Sequence, residues 1–289
     1  MMTSKRVIIA YGIYLFAITA FFLYTAFPEG PVREYVNGAG GQIGKGIVAS
    51  VERVKPAVPL GIVFSDLRLL RGGNMLIQID TLRATPGYLP ILTGTLAMRF
   101  AGELHGGRTF GTVTGTDEPG QPAITARFRD VDLSRLPLVD ILTPERAVTG
   151  TLNGTCRISP QPSGGAGVEI NVEITDASVD LLLPIGSIRA MTFDTITIEA
   201  QVRGNLVTIA SCAWNGPLVA GRLNGTMALQ DPPGSSTIAL TGSILPQQTL
   251  IKELGEPLMS RIFPEYRRRK NGFQITLNGT AEKPAFNIK

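Results

Sequence analysis

Few side chains in this sequence are of a type and spacing that could carry catalysis. The 289 residues include one histidine, His105, and two cysteines, Cys156 and Cys212. A Ser-His-Asp or Cys-His site would therefore have to be built on His105. That residue lies in Leu104–Arg108, whose sequence Leu-His-Gly-Gly-Arg is typical of a turn between strands. We predict that His105 is a turn residue and that the protein is not an enzyme.

Metal and cofactor sites are not indicated either. The sequence has too few histidines and cysteines to form a zinc site from several of them. The acidic residues do not have the spacing of a calcium loop. We therefore expect no catalytic residue, no cofactor and no metal. Cys156 and Cys212 form a disulfide only if their strands are neighbours; otherwise they are two small buried apolar side chains.

The charge distribution has one local concentration. The formal net charge is +4, and the positive residues are scattered except in the cluster Tyr266, Arg267, Arg268, Arg269 and Lys270. Scattered charge gives no nucleic-acid footprint, so we expect no nucleic-acid partner. The cluster is a candidate contact for anionic lipid headgroups or an acidic partner surface. A solvated hairpin loop is the alternative, because Asn271-Gly272 follows as a turn signal.

The N-terminal region reads as a membrane anchor. Val7 to Phe27 is an uncharged apolar stretch of 21 residues, and about 20 such residues cross a bilayer as a helix. Lys5 and Arg6 precede it and Glu29 is the first charge after it, so we expect residues 1–6 in the cytoplasm. The rest of the chain would consist of a juxtamembrane linker over 28–58 and an exported β-rich domain over 59–289. A cleaved signal peptide is the alternative, but its apolar region is usually shorter.

Alternating apolar and polar residues predict the fold of the exported part. In Val168 to Ile174 the apolar residues alternate with Glu169, Asn171 and Glu173. Successive side chains of a strand point to opposite faces, so this strand has one apolar and one polar face. The same alternation occurs around Leu96–Phe100, Ile124–Arg129, Ile196–Val202 and Phe273–Leu277. Such strands belong to antiparallel sheets, and we predict an all-β, mainly antiparallel domain.

Repeated glycines indicate that this sheet bends. Leu-Asn-Gly-Thr occurs three times, at 152–155, 223–226 and 277–280. Glycine within a strand permits a bulge, a bend or a close backbone approach. We therefore expect a curved, elongated sheet with strands bent at repeated glycines.

Helix is predicted in only a few places of the exported part. The best candidate is Gln247 to Phe263, in which Leu250, Leu254, Leu258 and Ile262 form one stripe and Pro257 is expected to kink or divide the helix. This stripe would plug an end of the sheet, meet another helix or simply pack in the core. Pro31–Ile43 and Leu133–Leu142 are weaker candidates, because the first contains several glycines and the second contains Pro137.

The order of short motifs along the chain carries a family resemblance. The motifs are Phe27-Pro28, Pro59–Phe64 leading into Leu67–Leu69, Gly-punctuated strands, Val131–Leu138, and Leu277–Phe286. In this order the chain resembles the type II secretion system protein N family, within the wider group of AsmA-like exported β-sheet proteins. The resemblance implies a single-pass protein of a bacterial inner membrane with its C-terminal domain in the periplasm. Its partners would be other type II secretion components, either the inner-membrane platform or the outer-membrane secretin, with membrane lipid around the anchor.

A second function uses the same sheet. If Val168, Ile170, Val172, Ile174, Ile196, Ile198 and Val202 line a trough that no helix fills, the trough could shield phospholipid acyl chains and conduct lipid. The chain would then be a lipid-binding or lipid-transfer protein with an apolar β-groove. The assembly role is preferred, because about fifteen strands spaced about 4.8 Å apart extend about 70 Å at most, too little to span the periplasm unaided.

Overall fold

A computed structural model describes most of the chain, and it divides into two compact units. The N-terminal unit is Met1–Leu104 and the C-terminal unit is His105–Lys289. The described residues are 11–12, 14–15, 18–19, 21–22, 24–38, 42–44, 47–58, 60–71, 74–87, 97–115, 122–136, 147–161, 166–230, 233–263 and 272–288. Both units consist mainly of antiparallel β-sheet, which confirms the predicted fold class at this level.

The described part of residues 28–104 contains one short helix and five strands in sequential order. Its elements are α1 Glu29–Asn37, β1 Gln42–Gly44, β2 Ile47–Pro56, β3 Ile62–Arg71, β4 Asn74–Pro86 and β5 Ala97–Leu104. The side chain of Asn37 joins the end of α1 to β2, because its Oδ1 accepts a hydrogen bond from Val51 N at 2.7 Å and its Nδ2 donates to Val51 O at 3.2 Å.

The prediction of a linker over 28–58 is therefore wrong for part of that segment. β2 lies within it, pairs with β3, and buries Ala49, Val51 and Val54. Ala49 and Val51 are two residues apart, but the next buried residue, Val54, comes three residues later. The strand was therefore missed, because its buried residues do not keep period two in the sequence, although its pairing with β3 keeps one register throughout.

N-terminal to α1, the described residues between 11 and 25 have helical conformation. Thr19 and Thr25 donate their hydroxyls to the carbonyls of Leu15 and Phe21, four residues earlier, at 2.8 and 2.9 Å. Among the described residues, no helix is long and apolar enough to cross a membrane. The predicted anchor over 7–27 lies partly outside the described residues.

The described part of the C-terminal unit contains ten strands, again in sequential order with each antiparallel to the next in the pairings described. They are β6 Gly107–Thr114, β7 Ala123–Asp132, β8 Val148–Pro160, β9 Ala166–Ile185, β10 Ile188–Arg203, β11 Leu206–Asn215, β12 Val219–Ala228, β13 Thr237–Pro246, β14 Phe273–Thr280 and β15 Pro284–Ile288. Short 3₁₀ turns occur at Leu133–Arg135 and Pro233–Ser235, and α2 is Gln248–Ile262. The strands predicted around Ile124, Val168, Ile196 and Phe273 are all present.

Helix α2 confirms the predicted helix but corrects its kink and its buried face. The interruption is at Gly255, with φ 70° and ψ 164°, and not at Pro257. Glycine adopts positive φ at little cost, and Pro257 is then accommodated at the start of the second helical segment. The break rotates the following turns, so Met259 is fully buried while Leu258 is exposed. Core packing is therefore the observed role of the helix.

Bulges bend the strands of the C-terminal unit. Asp130 in β7 and Asp176 in β9 have left-handed φ values of 54° and 52° and lie at register shifts against β8. Asn153 of the first Leu-Asn-Gly-Thr repeat accepts a hydrogen bond from the N–H of Asp130 at 3.0 Å. At Gly154 of the same repeat, an added Cβ would meet Asn171 O at 2.5 Å. The predicted close backbone approach at the repeat is confirmed.

Candidate functional site

The seven apolar residues predicted to line a groove lie together on one face of β9 and β10. Val172 is paired with Ile198, Ile174 with Ile196, and Val168 with Val202; Ile170 lies opposite Ala200. Paired residues of antiparallel strands point to the same face. We call this set, Val168, Ile170, Val172, Ile174, Ile196, Ile198 and Val202, the apolar strip.

The apolar face continues onto the neighbouring strands. On β8, Leu152, Gly154, Cys156 and Ile158 are paired with the four strip residues of β9. On β11, Trp214, Cys212 and Val207 are paired with the three strip residues of β10. The sequence analysis missed the β8 members because Gly154 and Cys156 interrupt the alternation of large apolar residues. The signal that could have found them is the pattern Leu-x-Gly-x-Cys-x-Ile, which keeps period two.

All seven residues of the apolar strip are half-buried, and none belongs to the buried core. The core cluster of the C-terminal unit lies at one end of the sheet, around α2. Its buried members are Ile188, Leu218, Val219, Leu250, Met259, Phe263 and Phe273. In the described residues, α2 thus covers the end of the sheet where β10 begins and does not bury the strip itself.

Cys156 and Cys212 both lie on the apolar face and are free thiols. They are on β8 and β11, with β9 and β10 between them. Three strand spacings are about 14 Å, whereas a disulfide needs Cα atoms within about 7 Å. The question that the sequence left open is therefore answered: the two thiols are not paired. Burial raises the pKa of each thiol above its ordinary value.

The opposite face of the same strands carries charge. Glu169, Glu173 and Glu199 are exposed there, and Arg157 Nη1 lies 3.3 Å from Glu169 Oε2. On the neighbouring strands β7 and β6, the guanidinium carbon of Arg129 lies 5.3 Å from the centre of the Phe110 ring, a cation–π distance. These contacts are exposed and each contributes little to stability. These charged side chains nevertheless make this face of the sheet the solvated one. The opposite, apolar face is therefore the one that is unusual for a sheet in water.

The remaining sequence-predicted residues have different outcomes. His105 is confirmed as a turn residue, with φ 47° next to Gly106 at φ 82°. Tyr266, Arg267, Arg268, Arg269 and Lys270 lie outside the described residues. In the part of the chain that the structure describes, no group of three or more His, Cys, Asp or Glu side chains is placed to hold a metal ion.

Comparison of the chain with protein-family models, curated proteins and solved structures finds no match.

Proposed function

We propose that this protein is an inner-membrane-anchored periplasmic component of the type II protein secretion machinery, acting by assembly with other components. The apolar strip is the surface on which the proposal chiefly rests. A half-buried aliphatic face across several strands is what a docking partner covers, and monomers rarely leave a large apolar patch without function. The ordered motifs of the sequence supply the family resemblance.

The anchor and the edge of the sheet also support an assembly role. Residues 7–27 supply the apolar length of a membrane span, and their aromatic side chains Phe21, Phe22 and Tyr24 are exposed. Strand β15 is the last strand of the sheet order, and its Phe286 is exposed. An edge strand can accept a strand from a partner. The anchor would hold these surfaces in the periplasm.

A gene deletion with matched complementation tests the proposal. In the source bacterium, deletion should leave type II-secreted proteins in the periplasm, and the wild-type chain should restore them to the medium. A variant with Val172→Lys and Ile198→Lys on the apolar strip should fail to restore secretion. The control variant, Glu173→Lys and Glu199→Lys, alters the opposite face of the same strands and should restore it. Normal secretion after deletion would overturn the proposal.

A lipid-binding or lipid-transfer function is the second candidate, and one observation favours it. The strip residues are all aliphatic, and the paired positions on β8 and β11 add glycine, cysteine and further apolar side chains but no charge. Such a surface suits phospholipid acyl chains as well as a protein. Mass spectrometry of the purified full chain would distinguish the two: co-purifying phospholipid that is lost in the Val172→Lys and Ile198→Lys variant supports lipid binding. Phospholipid retained equally in that variant would contradict it.

A further inference from the structure

Four arginines that are scattered in the sequence lie together on the solvated face of β6, β7 and β8. Arg108 of β6 is paired with Arg129 of β7, and Arg127 lies two residues before Arg129 on the same strand. Arg157 of β8 is paired with Thr125 of β7. Paired residues, and residues two apart on one strand, share a face of the sheet. We call Arg108, Arg127, Arg129 and Arg157, whose side chains are all exposed, the arginine patch.

The positive charge of the arginine patch is not neutralised within the described part of the chain. Arg157 forms an ion pair with Glu169 at 3.3 Å. The other three arginines form no ion pair with any described residue. Strands β6 to β8 contain two acidic residues: Asp132 faces Arg135 at 3.4 Å, outside the patch, and Asp130 forms no ion pair with a described residue. The patch therefore presents an excess of positive charge to solvent.

Arg129 is positioned by the sheet and not by a carboxylate. Its guanidinium carbon lies 5.3 Å from the centre of the Phe110 ring, so the ring lies against one side of the guanidinium group. Arg108 lies directly opposite Arg129, with Cβ atoms about 4.5–5.5 Å apart, and like charges in this position destabilise a strand pair. An anion bound between the two side chains would offset this repulsion. Guanidinium groups also match the geometry of carboxylates, because two N–H groups donate to the two oxygens.

The spacing of the arginines indicates the shape of the anionic partner. Arg129 and Arg127 are two residues apart, and Arg157 lies beside Thr125, which is two residues before Arg127. These three arginines therefore follow one another along the strand direction in steps of about 6.8 Å. Alternate side chains of an extended peptide point the same way and repeat at the same distance. Carboxylates at alternate residues of an extended segment thus match the arginine patch.

The other residues of the patch favour a protein over a membrane or a nucleic acid. Between the arginines, this face carries Thr112, Thr125, Thr155 and the half-buried Phe110. Binding of a basic surface to a bilayer is strengthened by apolar side chains that insert between headgroups, and these positions expose none. Single-stranded nucleic acid stacks its bases on aromatic rings, and the ring of Phe110 is already covered by Arg129.

The neighbouring strands limit where an acidic partner can lie. On the same face, β9 and β10 carry the exposed Glu169, Glu173 and Glu199. These carboxylates repel an acidic segment, so the positive half of the face, over β6 to β8, is the part that such a segment covers. The half over β9 and β10 stays uncovered.

We propose that the arginine patch binds an extended acidic segment of a partner protein, with carboxylates at alternate residues along β7. This surface lies on the face opposite to the apolar strip. The inference goes beyond the proposed function and does not depend on a role in secretion.

Binding of a synthetic peptide tests the proposal. The full chain is purified in detergent, and the fluorescence anisotropy of a fluorescein-labelled peptide of alternating aspartate and serine is measured at low salt. The peptide should bind, and added salt should weaken the binding by screening. Replacing Arg127 and Arg129 together, by Arg127→Gln and Arg129→Gln, should weaken it at least about tenfold. A peptide of alternating asparagine and serine should not bind.

The matched control removes the same charge from the same face outside the patch. Arg203 of β10 and Arg222 of β12 are exposed arginines on that face. The double variant Arg203→Gln and Arg222→Gln should bind the acidic peptide as the wild-type chain does. Equal weakening in the two double variants would show that only the net charge of the chain matters, and would overturn the proposal.

A charge swap separates loss of the site from loss of the fold. The variant Arg127→Glu and Arg129→Glu should bind a peptide of alternating lysine and serine that the wild-type chain does not bind. Failure of this swap, or no binding of the acidic peptide by the wild-type chain, contradicts the proposal. Binding of single-stranded DNA or of phosphatidylglycerol vesicles that is lost with Arg127 and Arg129, without binding of the acidic peptide, would also overturn it and assign the patch to that partner.

Discussion

Val172 of β9 and Ile198 of β10 are directly paired, and both side chains remain half-buried on a sheet face that α2 does not bury. This pair lies at the centre of the apolar strip. A residue in such a position contributes less to folding than a residue of the closed core. The apolar character of this face along both strands is then better explained by what the face contacts.

The first prediction compares the strip with the core. Val172→Ser should lower the free energy of unfolding by about 1 kcal/mol or less, as for a substitution outside a closed core. Met259→Ala should lower it by about 2–5 kcal/mol, because Met259 of α2 is fully buried in the core cluster between the helix and the sheet. Urea unfolding of the full chain in detergent, followed by the fluorescence of Trp214, measures both. Equal losses would mean that the strip is part of a closed core.

A second prediction concerns the left-handed backbone at Asp176. With φ at 52°, Asp176→Gly should leave stability nearly unchanged, whereas Asp176→Val should cost about 1–2 kcal/mol because a β-branched side chain is strained there. Asp180→Val is the control, since Asp180 is also exposed on β9 and pairs with Ala190 but does not have a positive φ. Thermal unfolding of the three variants tests this. A cost at Asp180 as large as that at Asp176 would contradict the explanation from backbone strain.

The third prediction concerns the two cysteines. Because burial raises the pKa of Cys156 and Cys212, less thiolate is present in the folded chain than in the unfolded chain at the same pH. Alkylation by iodoacetamide at pH 8 should be slow in the folded protein and fast in urea. The folded pKa values exceed the unfolded ones, so the associated stability is present below the unfolded pKa of about 8.5 and is lost as the pH rises through the folded values.

The separation of these thiols gives an independent check. Mild oxidation of the folded chain should produce no intramolecular disulfide, because two strands separate Cys156 from Cys212. Non-reducing electrophoresis after oxidation, with and without urea, measures this. A crosslinked monomer formed under native conditions would contradict the strand order described here.

A fourth prediction concerns Asp132, which caps the 3₁₀ turn at Leu133–Arg135. Hydrogen bonds from the Ser134 hydroxyl at 2.6 Å and the Ser134 N–H at 2.9 Å lower the pKa of Asp132 below its usual value. The carboxylate therefore adds stability above its unfolded pKa of about 3.9, and this stability is lost as the pH falls through the lower folded value.

Asp132→Ala should consequently destabilise the protein at pH 7, and the difference from wild type should shrink in acid below the folded pKa. Ser134→Ala, which keeps the N–H donor, should have the smaller effect. Thermal unfolding at several pH values compares the two. An Asp132→Ala effect that stays constant down to pH 2 would show that the hydrogen bonds to the carboxylate do not stabilise the turn.

Much of the sheet was predictable from the sequence because alternation with period two directly reports a strand with two unlike faces. This is why β7, β9, β10 and β14 were expected. β2 was not expected, because its buried residues Ala49, Val51 and Val54 do not keep period two in the sequence. The division of α2 lies at Gly255 and not at Pro257, because a glycine with positive φ breaks a helix more readily than a proline in its first turn.

The candidate site was predictable only in part. Register between strands decides which residues share a face, and no local pattern determines that two strands separate Cys156 from Cys212. The exposure of Leu182, Leu183 and Ile185 depends on the register shift opposite Arg189 and on packing against α2, both of which are tertiary features. An uncharged run such as Leu181–Ile188 reads equally well as a buried strand from the sequence alone.

The most direct test of the central claim, that the apolar strip is the contact surface of this protein, is photo-crosslinking in the living cell. A photoreactive residue at position 172 or 198 should give discrete adducts with type II secretion components. The same residue at position 173 or 199, on the opposite face of the same strands, should give few adducts. Phospholipid adducts confined to positions 172 and 198 would instead show that this surface binds lipid, and the lipid-binding function would replace the assembly role. Adducts from positions 173 and 199 alone, or none from the strip, would contradict the account.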